Sequence, residues 1–275
     1  MQPASAPASS EALGFAMQGD RPPETRIANH DATGVTIRGL SLADDLIGKA
    51  SYSDLLTLST LGRLPNDNQR TVLDGCLVAL MEAGLNPSTL VTRMTVQAAP
   101  DQAQAAMAAG LLTVGDVYVG TVQGCADLLT QIGSSDDPGN VAAMAIADLH
   151  DHGARVPGLG HGKHRDDDPR AVALLRLASD NGCAGRHRAA LETLRRTAEE
   201  QLRRSLVMNV TGAVAAALLD LGFPASATRP IALAARAGGL VGHVVEEHER
   251  PTAKTLWDAA RSTVLYREHD QGFTP

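Results

Sequence analysis

Aromatic side chains are nearly absent from this sequence, with three Phe, three Tyr and one Trp among 275 residues. Sandwiches and barrels fill their pleated faces with aromatic and β-branched residues, so this scarcity excludes them as the main architecture. The chain is rich in small residues instead, with 26 glycines and, counted along the sequence, 44 alanines. Such a core forms where Ala, Gly and Leu helices approach closely. A chain of this length buries a large core as one domain, or as a large and a small one. Its 24 basic and 31 acidic side chains give a net charge of −7, which offers no basic field to gather the phosphates of a nucleic acid. No uncharged apolar run reaches the roughly 18 residues of a membrane span, and no basic-then-apolar leader opens the chain. Cys76, Cys125 and Cys183 are odd in number and lie on apolar helical stretches or beside glycine. They read as reduced, semi-buried thiols of a cytoplasmic protein.

Residues 1–24 are rich in Pro, Ala, Ser and Gly without periodicity and read as a mobile arm, with at most a turn over 13–17. Residues 25–27 and 35–37, separated by the turn-rich Asn29-His30-Asp31-Ala32-Thr33-Gly34, form the one convincing hairpin. Helical patterning follows. Ser41-Leu42-Ala43-Asp44 resembles a capping box, Ser53 opens a helix ending near Gly62, and Asn66 or Asp67 caps one that runs to Ala83. Gly84 and Pro87 read as its stop. The Ala-rich stretch from Asp101 toward Leu129, broken by Gly110, Gly115, Gly120 and Gly124, reads as a buried central helix pair. Residues 134–139 form a linker before a helix through His150. Asp168 and Pro169 supply an N-cap and a first-turn proline for a helix that stops at Asn181-Gly182. Further helices are expected at about 185–204, 206–221 and 226–241, with a short one around Trp257. The expected class is all-α, with one small hairpin.

Five segments carry candidate chemistry. Gly158-Leu159-Gly160-His161-Gly162-Lys163-His164-Arg165 is a glycine-rich basic loop feeding a helix N-terminus, which suits an anion and equally suits a solvated surface loop. Arg170, in the first turn of that helix, opposes the helix dipole and so asks for a reason. Asn209 and Thr211 open an Ala-rich helix, where capping is the simplest role. Arg236 interrupts an apolar helix face, which is costly unless the charge is paired or binds an anion. Tyr118 lies between Gly115 and Gly120, where a packed ring with a satisfied hydroxyl is the ordinary reading, and Arg250-Pro251 is uninformative alone. The arginines of 186–204 alternate with Glu192, Glu199 and Glu200 as in a salt-bridged surface helix. His150, Asp151 and His152 mimic metal ligands, but no second cluster has ligand spacing, so no metal is expected. There is no P-loop, no nucleophile elbow and no dinucleotide fingerprint.

Taken in order, these segments resemble the citrate synthase superfamily over about residues 25–260. The resemblance is strongest to its short members, the citryl-CoA lyases, whose fold also forms the C-terminal module of ATP-citrate lyase. Gly158-Leu159-Gly160-His161, Asp168-Pro169-Arg170, Asn209-Val210-Thr211-Gly212, Ala235-Arg236-Ala237-Gly238-Gly239 and Glu249-Arg250-Pro251 carry it, with support from 54–65 and 110–120. The resemblance implies a large helical domain (25–140 and 236–275) and a small one (141–235). It implies that His161 bonds the carbonyl or hydroxyl oxygen of an oxaloacetate portion, while Arg170, Arg236 and Arg250 hold carboxylates. Planar guanidinium forks suit that task better than ammonium groups. Leu159, Gly160, Gly162, Lys163, His164 and Arg165 would border coenzyme A. The thioester is then substrate or product, with no tightly bound cofactor and no metal. Arg250 would reach in from a neighbouring subunit, implying a homodimer or larger assembly.

Two positions depart from the family pattern. Tyr118 stands where citrate synthases have a histidine for the thioester oxygen, a loss shared by lyase-type members, and a tyrosine hydroxyl can still donate there. Thr211 stands where the family has an aspartate that moves a proton at the methyl carbon. The expected activity is citryl-CoA lyase-like, making or breaking a C–C bond between an acetyl-CoA-type thioester and oxaloacetate or a related 2-oxo acid. Two alternatives stay open: a degenerate member that binds CoA or a dicarboxylate without turnover, and an enzyme for a different acyl-CoA.

Overall fold

A computed structural model describes residues 24–117, 119–160 and 167–267. The chain separates into two compact units, one ending at Leu64 and the other beginning at Pro65. The N-terminal arm expected over 1–24 lies outside the described residues, apart from Glu24.

In the first unit, strands β1 (Ala28–Asp31), β2 (Gly34–Ile37) and β3 (Leu40–Ser41) form an antiparallel meander. The hairpin is present, but its first strand lies further along the chain than the sequence suggests. Asn29, His30 and Asp31 are strand residues, and the turn shrinks to Ala32-Thr33 between the paired Asp31 and Gly34. Asp31 makes that tight turn possible, since its carboxylate accepts from the Thr33 amide (2.8 Å) and the Thr33 hydroxyl (2.5 Å). The third strand, two residues long, carries no readable alternation. Ser41 accepts from the Asp44 amide as expected, but the turn it caps is π-helical, Leu42–Leu46. Helix α1 (Tyr52–Leu61) starts one residue before Ser53, with Ser51 and Asp54 as a capping box, and ends at left-handed Gly62.

The second unit is helical: α2 (Asp67–Met81), α3 (Pro87–Ala98), α4 (Ala103–Leu112), α5 (Thr121–Gly133) and α6 (Pro138–Asp151) come first. They are followed by α7 (Pro169–Asp180), α8 (Arg186–Leu202), α9 (Val210–Asp220), α10 (Ala225–Glu249) and α11 (Ala253–Thr263). Helix α3 was not expected. Pro87 is not a stop but the first residue of a helix capped by Asn86, where a missing N–H costs nothing. The expected central pair is only half realised: α5 buries Val122, Cys125, Ala126, Leu129 and Ile132, whereas α4 buries just Ala106 and Gly110. The buried centre is α9, in which every residue from Val210 to Leu219 is buried and which packs against α2, α5, α7, α8 and α10. Its alanines allow those approaches. At Gly239 of α10 an added Cβ would overlap the Met81 carbonyl oxygen, so α10 crosses the end of α2 backbone to backbone. Cys76 and Cys125 are buried and unpaired, and burial pushes both thiols up to about 12. The last helix, α11, is short and leaves Trp257 52% exposed. Among the described residues no helix is long and apolar enough to cross a membrane.

Candidate active site

The site is built around the N-termini of α9 and α7. Helix α9 begins four residues later than its pattern suggests, because residues 206–208 are extended. Met208 bridges to Leu159 antiparallel, Gly160 N–H donates to Val207 O at 2.6 Å, and Asp168 N–H donates to Met208 O at 3.1 Å. Residues 207–208 therefore grip the chain on both sides of 161–166. A side-chain link reinforces the grip: Asp167 accepts from the Met208 amide (2.9 Å) and from Arg195 (2.8 Å). Arg195 thus serves the site's scaffold as well as its expected surface pair with Glu199. Gly158 adopts φ +83°, and an added Cβ would lie 2.5 Å from Cys125 Sγ and 3.0 Å from Gly212 Cα. Only glycine allows this loop to seat on α9.

Asn209 caps α9 by accepting from Gly212 N–H (3.1 Å), while its amide nitrogen donates to Gly160 O (2.9 Å). The Thr211 hydroxyl donates to Asn209 Oδ1 at 2.7 Å and accepts from Thr121, the first residue of α5, at 3.3 Å. The capping role is therefore real, with Asn209 as the cap and Thr211 bonded to it. Asn209, which sequence reasoning set aside as a cap, is what joins Thr211 to the glycine loop.

Arg170 opens α7 and forms a two-pronged pair with Asp168, Nε to Oδ1 at 3.1 Å and Nη2 to Oδ2 at 2.8 Å. Its unfavourable helix position now has its reason: the N-cap carboxylate, itself fully buried, compensates the charge. Arg170 remains 37% exposed along its side chain. Arg236 lies within the buried stripe of α10, among Ala232, Ala235, Gly239 and Leu240, and is 3% exposed. Among the described residues its Nε and Nη1 have no hydrogen-bond partner. Burial lowers its pKa from the usual arginine value; Glu82 pulls in the other direction and the nearby charge of Arg170 lowers it further. Arg236 is thus a buried cation with two unfilled donors, near enough to Arg170 to feel its charge. The arrangement calls for an anion.

Arg250 does not join them within one chain. It ends α10 fourteen positions after Arg236, about 21 Å along the helix axis. It lines an open surface pocket of about 680 Å³ with Glu82, Gly239, Gly242, His243, Val245, Glu246 and Glu249. Leu159 and Gly160 hold the loop stem, whereas His161, Gly162, Lys163, His164, Arg165 and Tyr118 lie outside the described residues. Arg229 holds the loop before α5, donating to Asp116 and to Gly120 O (3.1 Å). Among the described residues no three His, Cys, Asp or Glu side chains gather as metal ligands do.

Comparison with known proteins agrees with this framework. The family model "Citrate synthase, C-terminal domain" matches residues 26–257. Citrate synthase from Haloferax volcanii is 30% identical over 217 residues, which is 78% of this chain and 55% of that protein. The chain therefore spans about half the length of the citrate synthases it resembles. Citryl-CoA lyase from Hydrogenobacter thermophilus superposes with a TM-score of 0.80 and 26% identity, covering 93% of this chain and 98% of that one. ATP citrate lyase from Methanothrix soehngenii, solved with citrate and coenzyme A, shares the fold at a TM-score of 0.74 and 17% identity, over 98% of this chain and 46% of its own. With the family model covering most of its length, the chain belongs to the citrate synthase family.

Proposed function

We propose that the protein is a citryl-CoA lyase-like enzyme that breaks, or in reverse forms, the C–C bond between an acetyl-CoA-type thioester and oxaloacetate. The observation that carries this reading is Arg236, a guanidinium buried with Nε and Nη1 unfilled. A di- or tricarboxylate would fill those donors. His161 would bond an oxygen of the same ligand, with Leu159, Gly160, Gly162, Lys163, His164 and Arg165 bordering coenzyme A. The large and small helical domains expected from the sequence would close around it. Because Arg250 ends α10 far from Arg236, it would complete the carboxylate grip of a neighbouring copy in a homodimer.

In the cleavage direction, His161 takes the hydroxyl proton of the citryl group. The C–C bond then breaks, its oxygen collapses to the ketone of oxaloacetate, and the electron pair passes to the thioester as an enolate. Tyr118 donates to that enolate oxygen. A proton then reaches the methylene carbon to give acetyl-CoA. Thr211 cannot supply that proton as an aspartic acid would. Its hydroxyl is given to Asn209, so its role is to hold a water by a remaining lone pair. Losing a general acid or base slows such a step by about 10²–10⁴-fold.

The direct test is to supply citryl-CoA to the purified protein and follow the oxaloacetate released. Cleavage above background is expected. Thr211→Asp is expected to raise turnover at least about tenfold, since it restores a carboxylate where the proton must move. Activity in the parent with no gain in Thr211→Asp would mean a pocket reshaped for another acyl-CoA. The donation from Thr211 to Asn209 also favours a second reading, a member that binds CoA and a dicarboxylate without turnover. Micromolar CoA binding without cleavage would establish it.

A further inference from the structure

A guanidinium on α3 gathers both sides of the segment that presents Arg250. Arg93 is 2% exposed, and all three of its nitrogens are engaged. Nη1 donates to Glu247 Oε2 at 2.9 Å and to Thr252 Oγ1 at 3.2 Å, Nε donates to His243 Nδ1 at 2.9 Å, and Nη2 donates to Glu246. Glu247, buried with it, accepts from the backbone N–H groups of Thr252 and Ala253, both at 2.8 Å. Residues just before Arg250 and just after Pro251 thus converge on one side chain from a distant helix.

The turn between them is stiff for local reasons too. Proline fixes its own φ and keeps the preceding residue out of the helical region, and Arg250 accordingly sits at φ −139°, ψ 75°. Its own amide donates to Glu246 O at 2.6 Å. Its side chain is exposed. Ending α10 needs only Pro251, and starting α11 needs only Glu247 as acceptor. The buried arginine adds a fixed direction for the residue between them.

We infer that Arg93 is a positioning residue for carboxylate recognition, setting the direction in which Arg250 projects without itself touching the ligand. The inference rests on the proposed role of Arg250. It acts through Glu247 and the Arg250-Pro251 turn. Lysine cannot replace it, because a single ammonium cannot span Glu246, Glu247, Thr252 and His243 as a planar fork does.

The test is a double-mutant cycle on the full chain, titrated by calorimetry with citrate and, separately, with coenzyme A. Arg250→Met is expected to weaken citrate binding by about 30-fold or more, and Arg93→Lys by about 5- to 10-fold, with CoA affinity unchanged. In the Arg250→Met background, Arg93→Lys should cost no further citrate affinity. Thr252→Val, which deletes one of the Arg93 acceptors and no charge, should give a smaller loss of the same kind and serves if Arg93→Lys does not fold. Full additivity in the cycle, or unchanged citrate affinity in both Arg93→Lys and Thr252→Val, overturns the inference. Unchanged affinity in Arg250→Met, or no citrate binding by the parent, overturns the role of Arg250 itself and the inference with it.

Discussion

Arg236→Met is expected to make the ligand-free protein more stable and to remove most of its grip on citrate. An ionised group buried without full compensation costs free energy, and each unfilled buried donor adds about 1–3 kcal/mol. Arg236 carries two such donors, Nε and Nη1, among the buried Ala232, Ala235, Gly239 and Leu240 of α10. Among the described residues, Glu82, whose side chain is 47% exposed, favours its charge, while Arg170 opposes it. Methionine occupies similar volume, adapts to irregular space and needs no partner. Replacing buried charge by a fitting apolar side chain commonly gains about 1–4 kcal/mol, enough to raise the unfolding temperature by several degrees in a chain of this size. Binding should respond in the other direction, losing about 2–5 kcal/mol, or roughly 30- to 5,000-fold in affinity. Thermal unfolding without ligand and citrate titration read the two effects separately. A destabilised variant with unchanged citrate affinity would make Arg236 a structural cation paired through Glu82, and the proposed site would fall.

Arg93→Met should do the reverse to stability. It leaves Glu247, 1% exposed along its side chain, with its backbone donors but without its cation. Breaking a buried pair by removing one partner costs about 3–5 kcal/mol. The pH dependence identifies the cause. Burial by itself raises the Glu247 pKa, but the Ala253 amide, Arg93 and Thr252 more than offset it, so the folded value lies below the ordinary 4.5. A lowered carboxylate contributes stability that is present above its unfolded value and lost as pH falls through the folded one. Removing Arg93 raises the folded value, so the deficit of the variant is largest near neutrality and narrows below about pH 4.5. Urea unfolding at pH 7 and pH 4 measures this. A deficit independent of pH would place the loss in packing rather than in the ion pair.

Local chemistry was legible and long-range chemistry was not. Asp168-Pro169 and Asn181-Gly182 bound α7 as the sequence suggests, since caps and first-turn prolines act over three or four residues. Asn86-Pro87 obeys the same rule, yet Pro87 resembles a stop when it follows Gly84, and α3 was missed with it. The start of α9 was misplaced for a different reason: residues 206–208 are held extended by Leu159 and Gly160, partners some fifty positions away. In the site, Arg236 stood out because a charge on an apolar helix face is conspicuous. Arg170 stood out because it opposes its helix dipole, and the compensating Asp168 was already visible two residues away. Arg93 and Glu247 gave no such signal. Their pairing spans 154 positions, and each looks like an ordinary charge on its own helix.

The scarcity of aromatics leaves Trp257 as the sole tryptophan, half-exposed on α11 a few residues beyond Arg250. Intrinsic fluorescence of this protein is therefore a local instrument. It is blind to the alanine-rich centre around α9, whose unfolding must be followed by circular dichroism. It watches the short helix anchored by Glu247, so a second copy packing over that segment would shift its emission while the helical signal stayed constant.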